Sequence, residues 1–123
     1  MKKALVIEDN ADNMKLITFI LEKNGYNTIR AENGTTGIEL ALKEKPDFVL
    51  LDIQLPDMDG TEVLKELRKS EIDGGIPIIP ITSYAMSGDR ERLIGAGCNG
   101  YIEKPIDPVT IMNQIKEIIG GES

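Results

Sequence analysis

Five short apolar runs punctuate this chain, and they limit its fold more than any other feature. They are Ala4–Ile7, Thr28–Ala31, Phe48–Leu51, Ile78–Thr82 and Tyr101–Glu103. The first, third and fourth are nearly continuous Val, Ile and Leu, the composition of strands buried on both faces of a parallel sheet. Helical periodicity fills the gaps. Met14, Ile17, Ile20 and Leu21 share one helix face, which stops near Asn24-Gly25. Ile38, Leu40, Ala41 and Leu42 mark a second helix, ended before Pro46. Val63, Leu64 and Leu67 mark a third, and Leu93 and Ile94 a short fourth that ends at Gly95 or Gly97. The fifth opens at Asp107-Pro108, a cap followed by proline at the first helical position, and continues through Ile111, Met112, Ile115, Ile118 and Ile119. Strand and helix alternate five times. That order predicts an α/β domain with a parallel sheet, helices on both faces and right-handed crossovers. At 123 residues the chain is expected to form one domain, with Gly120-Gly121-Glu122-Ser123 as a frayed end.

Composition removes several kinds of chemistry. The chain has no histidine, so a Ser-His-Asp triad, a His-ligated zinc and an imidazole proton shuttle are excluded. Its single cysteine, Cys98, lies in Ala96-Gly97-Cys98-Asn99-Gly100 and reads as a small packing residue. A net charge of −7 disfavours nucleic acid and anionic membranes as partners. Met1-Lys2-Lys3 runs straight into a short apolar segment, without the longer apolar region and cleavage site of a signal peptide. No apolar run approaches membrane-spanning length. The expectation is a soluble, cytoplasmic protein.

In an open parallel sheet, ligands bind beyond the C-terminal ends of the strands. There the chain places Glu8-Asp9 after the first strand, Asp52 after the third, Thr82-Ser83 after the fourth and Glu103-Lys104-Pro105 after the fifth. An acid after a strand is usually a turn former or a helix cap, and a lone lysine is usually a solvated charge. Their convergence is the informative feature. Clustered carboxylates repel, and at least one resists ionising unless a cation joins them. An all-oxygen donor set favours a hard divalent ion, Mg²⁺ with Mn²⁺ as the alternative. Glu8, Asp9 and Asp52 with Lys104 and one such ion are electrically neutral, a state suited to receiving a phosphoryl group. The roles follow from placement. Asp52, at the end of a buried central strand, is the nucleophile that would form an aspartyl phosphate. Asp9 would bind Mg²⁺ directly, Glu8 through water, and the backbone carbonyl of Gln54 is a third candidate ligand. Lys104 and Thr82 would contact the phosphate oxygens.

These residues fall in four segments: Glu8-Asp9-Asn10; Asp52 through Gly60 (Asp-Ile-Gln-Leu-Pro-Asp-Met-Asp-Gly); Ile81 through Met86; and Tyr101 through Pro105. Together and in this order they resemble the receiver domain of bacterial two-component response regulators. The likeness runs from Lys3 to about Ile119, and is greatest to single-domain regulators and to receivers of hybrid kinases and phosphorelays. It implies a doubly wound five-stranded sheet in the order 2-1-3-4-5, the flavodoxin-like receiver fold. A histidine kinase or histidine phosphotransfer protein is the implied donor, and a cis peptide between Lys104 and Pro105 is also implied. Ser83 would leave room for the phosphoryl group. Gln54 and Tyr84 stand where the family tunes phosphate lifetime. Thr82 and Tyr101 would form a switch, read out on the face made by the fourth helix, fifth strand and fifth helix, with Met86, Arg90, Arg92, Tyr101, Glu103 and Ile106 as candidate contacts. Asp57 and Asp59 read as turn and cap residues rather than ligands, and one of Asn10, Asp12 and Asn13 as the cap of the first helix.

Three other readings use the same residues less well. A Mg²⁺-dependent phosphohydrolase with an aspartyl nucleophile usually carries a second acid two residues later, where this chain has Gln54. A flavin module would need a glycine- and hydroxyl-rich loop after the first strand and more aromatic residues. A degenerate receiver acting as a scaffold is disfavoured by the intact Asp9, Asp52, Thr82 and Lys104. The chain is thus expected to act as a switch or relay rather than as an enzyme, either alone or as a fragment of a hybrid kinase.

Overall fold

Each apolar run becomes a strand, and each periodic segment a helix. The computed structural model describes residues 2–70, 76–83 and 90–120. Tyr84, Met86 and the side chain of Arg90 lie outside the described residues. The order is β1 (Lys3–Ile7), α1 (Ala11–Lys23), β2 (Asn27–Ala31), α2 (Gly34–Glu44), β3 (Phe48–Asp52), α3 (Gly60–Lys69), β4 (Ile78–Thr82), α4 (Arg90–Gly95), β5 (Ile102–Glu103) and α5 (Ile111–Gly120). All strand pairs are parallel, and the sheet order is β2-β1-β3-β4-β5. The three most apolar runs occupy the three inner places. β3 and β4 are buried throughout, whereas the edge strand β2 buries only Ala31 fully.

Alternation along each strand feeds two cores. Ala4 and Val6 of β1 face Met14, Ile17 and Leu21 of α1 and Ile111 and Ile115 of α5. Leu5 and Ile7 face the opposite side, with Ala41 of α2 and Val63, Leu64 and Leu67 of α3. Helices therefore cover both faces, which is why the inner strands lack polar alternation. Full burial of each Leu or Ile contributes about 1.5–3 kcal/mol, on the inner strands and on the helix faces that cover them.

Three expectations shift in detail. Leu42 is 43% exposed, and α2 instead packs through Gly34, Gly37 and Ala41. The reason is close approach: a Cβ on Gly37 would lie 2.5 Å from Ile7 Cδ1, so only glycine lets α2 settle this near the sheet. Ile38 and Leu40 flank that stripe, half-buried. The regular part of α5 starts at Ile111 rather than after Pro108, although Asp107 does cap the turn before it, its Oδ1 accepting from Val109 N at 2.9 Å. Tyr101 precedes β5 instead of belonging to it, and is half-buried. Ile20 is partly buried on the α1 core face, and Thr18, also on that face, is fully buried with its hydroxyl donating to Met14 O at 2.8 Å. Cys98 packs half-buried against the α2–α3 core, as its setting suggests. Among the described residues, no helix is long and apolar enough to cross a membrane.

Candidate functional site

The sheet register brings the acids together. Ile7 pairs with Leu51, Asp52 with Ile81, and Thr82 with Glu103, so the strands end level with one another. The chain leaves β1 and β3 toward opposite sides of the sheet, which opens a crevice between their ends. Glu8 and Asp9 follow β1 on one side of it, and Asp52 closes β3 on the other. One carboxylate oxygen from each of Glu8, Asp9 and Asp52 lies within 4.8 Å of the other two.

These acids differ in environment. Glu8 is 1% exposed and Asp52 2%, while Asp9 faces solvent. Glu8 is held by its own backbone, Glu8 N donating to Ala31 O at 2.9 Å, and its Oε2 accepts from Asn10 N at 3.1 Å. Its Oε1 is buried with no hydrogen-bond partner among the described residues. Burial raises the Glu8 pKa from its ordinary 4.5 to about 7, and the neighbouring Asp52 carboxyl adds to the rise. Asp52 Oδ1 accepts from Gln54 N at 3.0 Å and from Lys104 Nζ at 3.1 Å.

Lys104 reaches inward because its backbone is fixed beside β4. Lys104 N donates to Thr82 O at 2.9 Å, and the bond to Pro105 is cis. Thr82 is 1% exposed at the end of β4, and Ser83 is exposed next to it. Ser83 and Lys104 line a cleft of about 430 Å³ with Asn13, Leu16, Pro105 and Ile106. Among the described residues, three carboxyl groups thus face one ammonium. An orphaned buried carboxylate oxygen beside two further acids, in an all-oxygen set, fits a hard divalent cation.

The loop after β3 completes the rim. Gly60 N donates to Ile53 O at 2.8 Å, and Gln54 bridges to Asp59 across the loop. A Cβ on Gly60 would lie 2.5 Å from Ile53 Cα, so this closure demands glycine. Asp59 caps α3 in a reciprocal capping box with Glu62, and also pairs with Arg92 at 3.5 Å. Asp57 points elsewhere. Its Oδ1 accepts from Gly34 N at 2.8 Å, and its Oδ2 from Thr35 N at 3.0 Å and Thr35 Oγ1 at 2.8 Å. Those backbone donors hold its pKa down at about 2.

Residues 4–116 match the family model of the response regulator receiver domain. The chain belongs to the response regulator receiver family. It is 43% identical over 119 residues to the polar-differentiation response regulator DivK of Brucella anthropi, covering 97% of each chain. Among solved structures it resembles the receiver domain of sensor histidine kinase PA1611 from Pseudomonas aeruginosa, which has a magnesium ion coordinated in its active-site cleft. That likeness has a TM-score of 0.87 and 32% identity, over 97% of this chain and 98% of the other. Chemotaxis protein CheY4 of Vibrio cholerae shares the fold, with a TM-score of 0.90 at 24% identity over 96% and 98% of the two chains.

The receiver fold thus gathers Glu8, Asp9, Asp52, Thr82 and Lys104 at one sheet edge, with Gln54 and Ser83 beside them. Asn10 caps α1, its side chain accepting from Asn13 N at 2.9 Å. Asp57 and Asp59 are indeed caps. The sequence reading missed that Asp57 caps α2, a different helix from the one that follows it. No local signal marked it, since α5 also lacks an acid in its first turn.

Proposed function

We propose that this receiver accepts a phosphoryl group on Asp52 from a phosphohistidine of a partner protein, with Mg²⁺ as cofactor. The observation that carries the reading is Lys104 Nζ at 3.1 Å from Asp52, beside the orphaned Glu8 carboxylate. In the transfer the phosphorus–nitrogen bond of the donor breaks and a phosphorus–oxygen bond to the Asp52 carboxylate forms. The imidazole leaves with its bonding electron pair. Asp9, Asp52 and the Gln54 carbonyl are the residues that would hold Mg²⁺, with Glu8 acting through water. When bound, the ion supplies charge neutralisation for the incoming phosphoryl oxygens. Lys104 would contribute a point charge to those oxygens, and the Thr82 and Ser83 hydroxyls would donate to them. The rigid end of β3 keeps the nucleophile in one orientation.

Phosphorylation replaces a single negative charge with roughly −1.5 to −2 and adds three strong acceptors. Drawing Thr82 toward them would free space beside β4, into which the half-buried Tyr101 can turn. The readout face is then α4, β5 and α5, where Arg92, Glu103 and Ile106 meet a downstream protein. Gln54 and Tyr84 would set the lifetime of the phosphate. In this reading the protein is a cytoplasmic switch or relay that catalyses only its own phosphorylation and dephosphorylation. Phosphoramidate, a small donor with the same phosphorus–nitrogen bond, provides the test. Intact-mass spectrometry should show one added phosphoryl group with Mg²⁺ and none with excess chelator. Equal labelling in both would remove Mg²⁺ from the mechanism.

A further inference from the structure

The loop between β3 and α3 is closed at its base and tied down at its tip by separate means. Its base is shut by the Gly60–Ile53 hydrogen bond and the Gln54–Asp59 bridge. Its tip is tied by Asp57, whose carboxylate takes the Gly34 and Thr35 N–H groups and the Thr35 hydroxyl at 2.8–3.0 Å. Together with Asn33, which accepts from Thr36 N through its side chain and from Gly37 N through its carbonyl, this satisfies the first four N–H groups of α2. The contact is close-packed as well as polar. A Cβ on Gly34 would fall 2.4 Å from Met58 Cγ, so loop and helix meet where a side chain has no room.

The other end of the same loop touches the reacting group, because Gln54 N donates to Asp52 Oδ1 at 3.0 Å. We propose that Asp57 is a positioning residue for phosphoryl acceptance: by clamping the loop tip to α2, it fixes the Gln54 peptide against Asp52. This rests on Asp52 being the acceptor and adds a remote support to that site. The Gln54 peptide contributes its N–H to Asp52 and its carbonyl as a candidate metal ligand, so freeing the tip loosens both. Full ionisation of Asp57 near neutral pH keeps all three tip bonds charge-assisted.

The test compares Asp57→Ala and Asp57→Asn with Asn99→Ala. Asn99 is a control of similar kind at the opposite end of the sheet, where its Oδ1 accepts from Arg68 Nη2 at 2.6 Å and from Ile78 N at 2.9 Å. Two readouts need no phosphodonor: hydrogen exchange of the Gln54 amide in metal-free protein, and the Kd for Mg²⁺ by calorimetry. Asp57→Ala should speed that exchange and weaken Mg²⁺ binding about tenfold, the scale of losing an outer support of a metal site. Asp57→Asn, which keeps one acceptor oxygen, should fall between it and wild type. Asn99→Ala should lower Tm and leave both readouts unchanged. Wild-type exchange and Kd in Asp57→Ala, or equal shifts in Asn99→Ala, would overturn the clamp. Absence of any phosphoryl adduct on wild-type protein would instead overturn the reading of Asp52, while the exchange and Kd readouts still decide the role of Asp57.

Discussion

Two groups of acids sit at the same end of this sheet and behave in opposite ways. Glu8, Asp9 and Asp52 crowd a crevice, two of them buried, and Glu8 holds its proton to about pH 7. Asp57 and Asp59 stand on the exposed loop next to them, and both have lowered pKa values. The cause lies in what faces each carboxylate. Helix N-termini offer the loop acids oriented N–H donors, whereas the crevice acids face one another across low-dielectric surroundings. An acid satisfied by backbone is finished structure. An acid left facing other acids is an open valence for a cation.

That contrast can be broken residue by residue. Glu8 should give the largest effect in metal-free protein. Between pH 4.5 and about 7 the unfolded chain releases this proton while the folded chain keeps it. Stability therefore falls as pH rises through that window, by up to about 3 kcal/mol. Glu8→Gln should abolish the slope, and chemical denaturation of both proteins at several pH values would show it. A flat wild-type profile would mean that the crevice does not penalise its acids. Asp9→Asn should weaken Mg²⁺ binding by at least about tenfold, since even outer supports of a metal site are worth that much. Calorimetry with Mg²⁺ alone reads this directly, and unchanged affinity would take Asp9 out of the ligand set.

The loop acids should respond to pH in the other sense. Asp59→Ala removes a helix cap and should cost about 1 kcal/mol at neutral pH without weakening Mg²⁺ binding. Asp57→Asn should lower Tm least. Because the folded pKa of Asp57 is depressed, its contribution is complete above the ordinary value of 3.8 and is lost as pH falls toward 2. The Tm gap between wild type and Asp57→Asn should accordingly close over that range. A gap that persists at pH 2 would point to packing rather than charge.

Much of this contrast was legible in the sequence. The continuous Val/Ile/Leu composition of β1, β3 and β4 identified the inner strands, because only strands covered on both faces can dispense with polar alternation. The strand-end positions of Glu8, Asp9, Asp52, Thr82 and Lys104 already grouped the side chains that the fold brings together at one crevice. Long-range ties were not legible. Asp57 reads as a turn residue from its neighbours, and only the fold reveals the α2 N-terminus waiting 23 residues upstream. Likewise Leu42 looked like core, yet the small residues Gly34, Gly37 and Ala41 won that face by permitting close approach. Helical periodicity says which residues share a face, and steric fit decides which face is pressed to the sheet.

The central claim is that Asp52 is the phosphoryl acceptor, and one comparison addresses it most directly. Wild type and Asp52→Asn are incubated with acetyl phosphate and Mg²⁺ and examined by intact-mass spectrometry. The account predicts a single phosphoryl adduct on the wild type that is absent from Asp52→Asn. An adduct of equal occupancy on Asp52→Asn would contradict it and move the acceptor elsewhere in the chain.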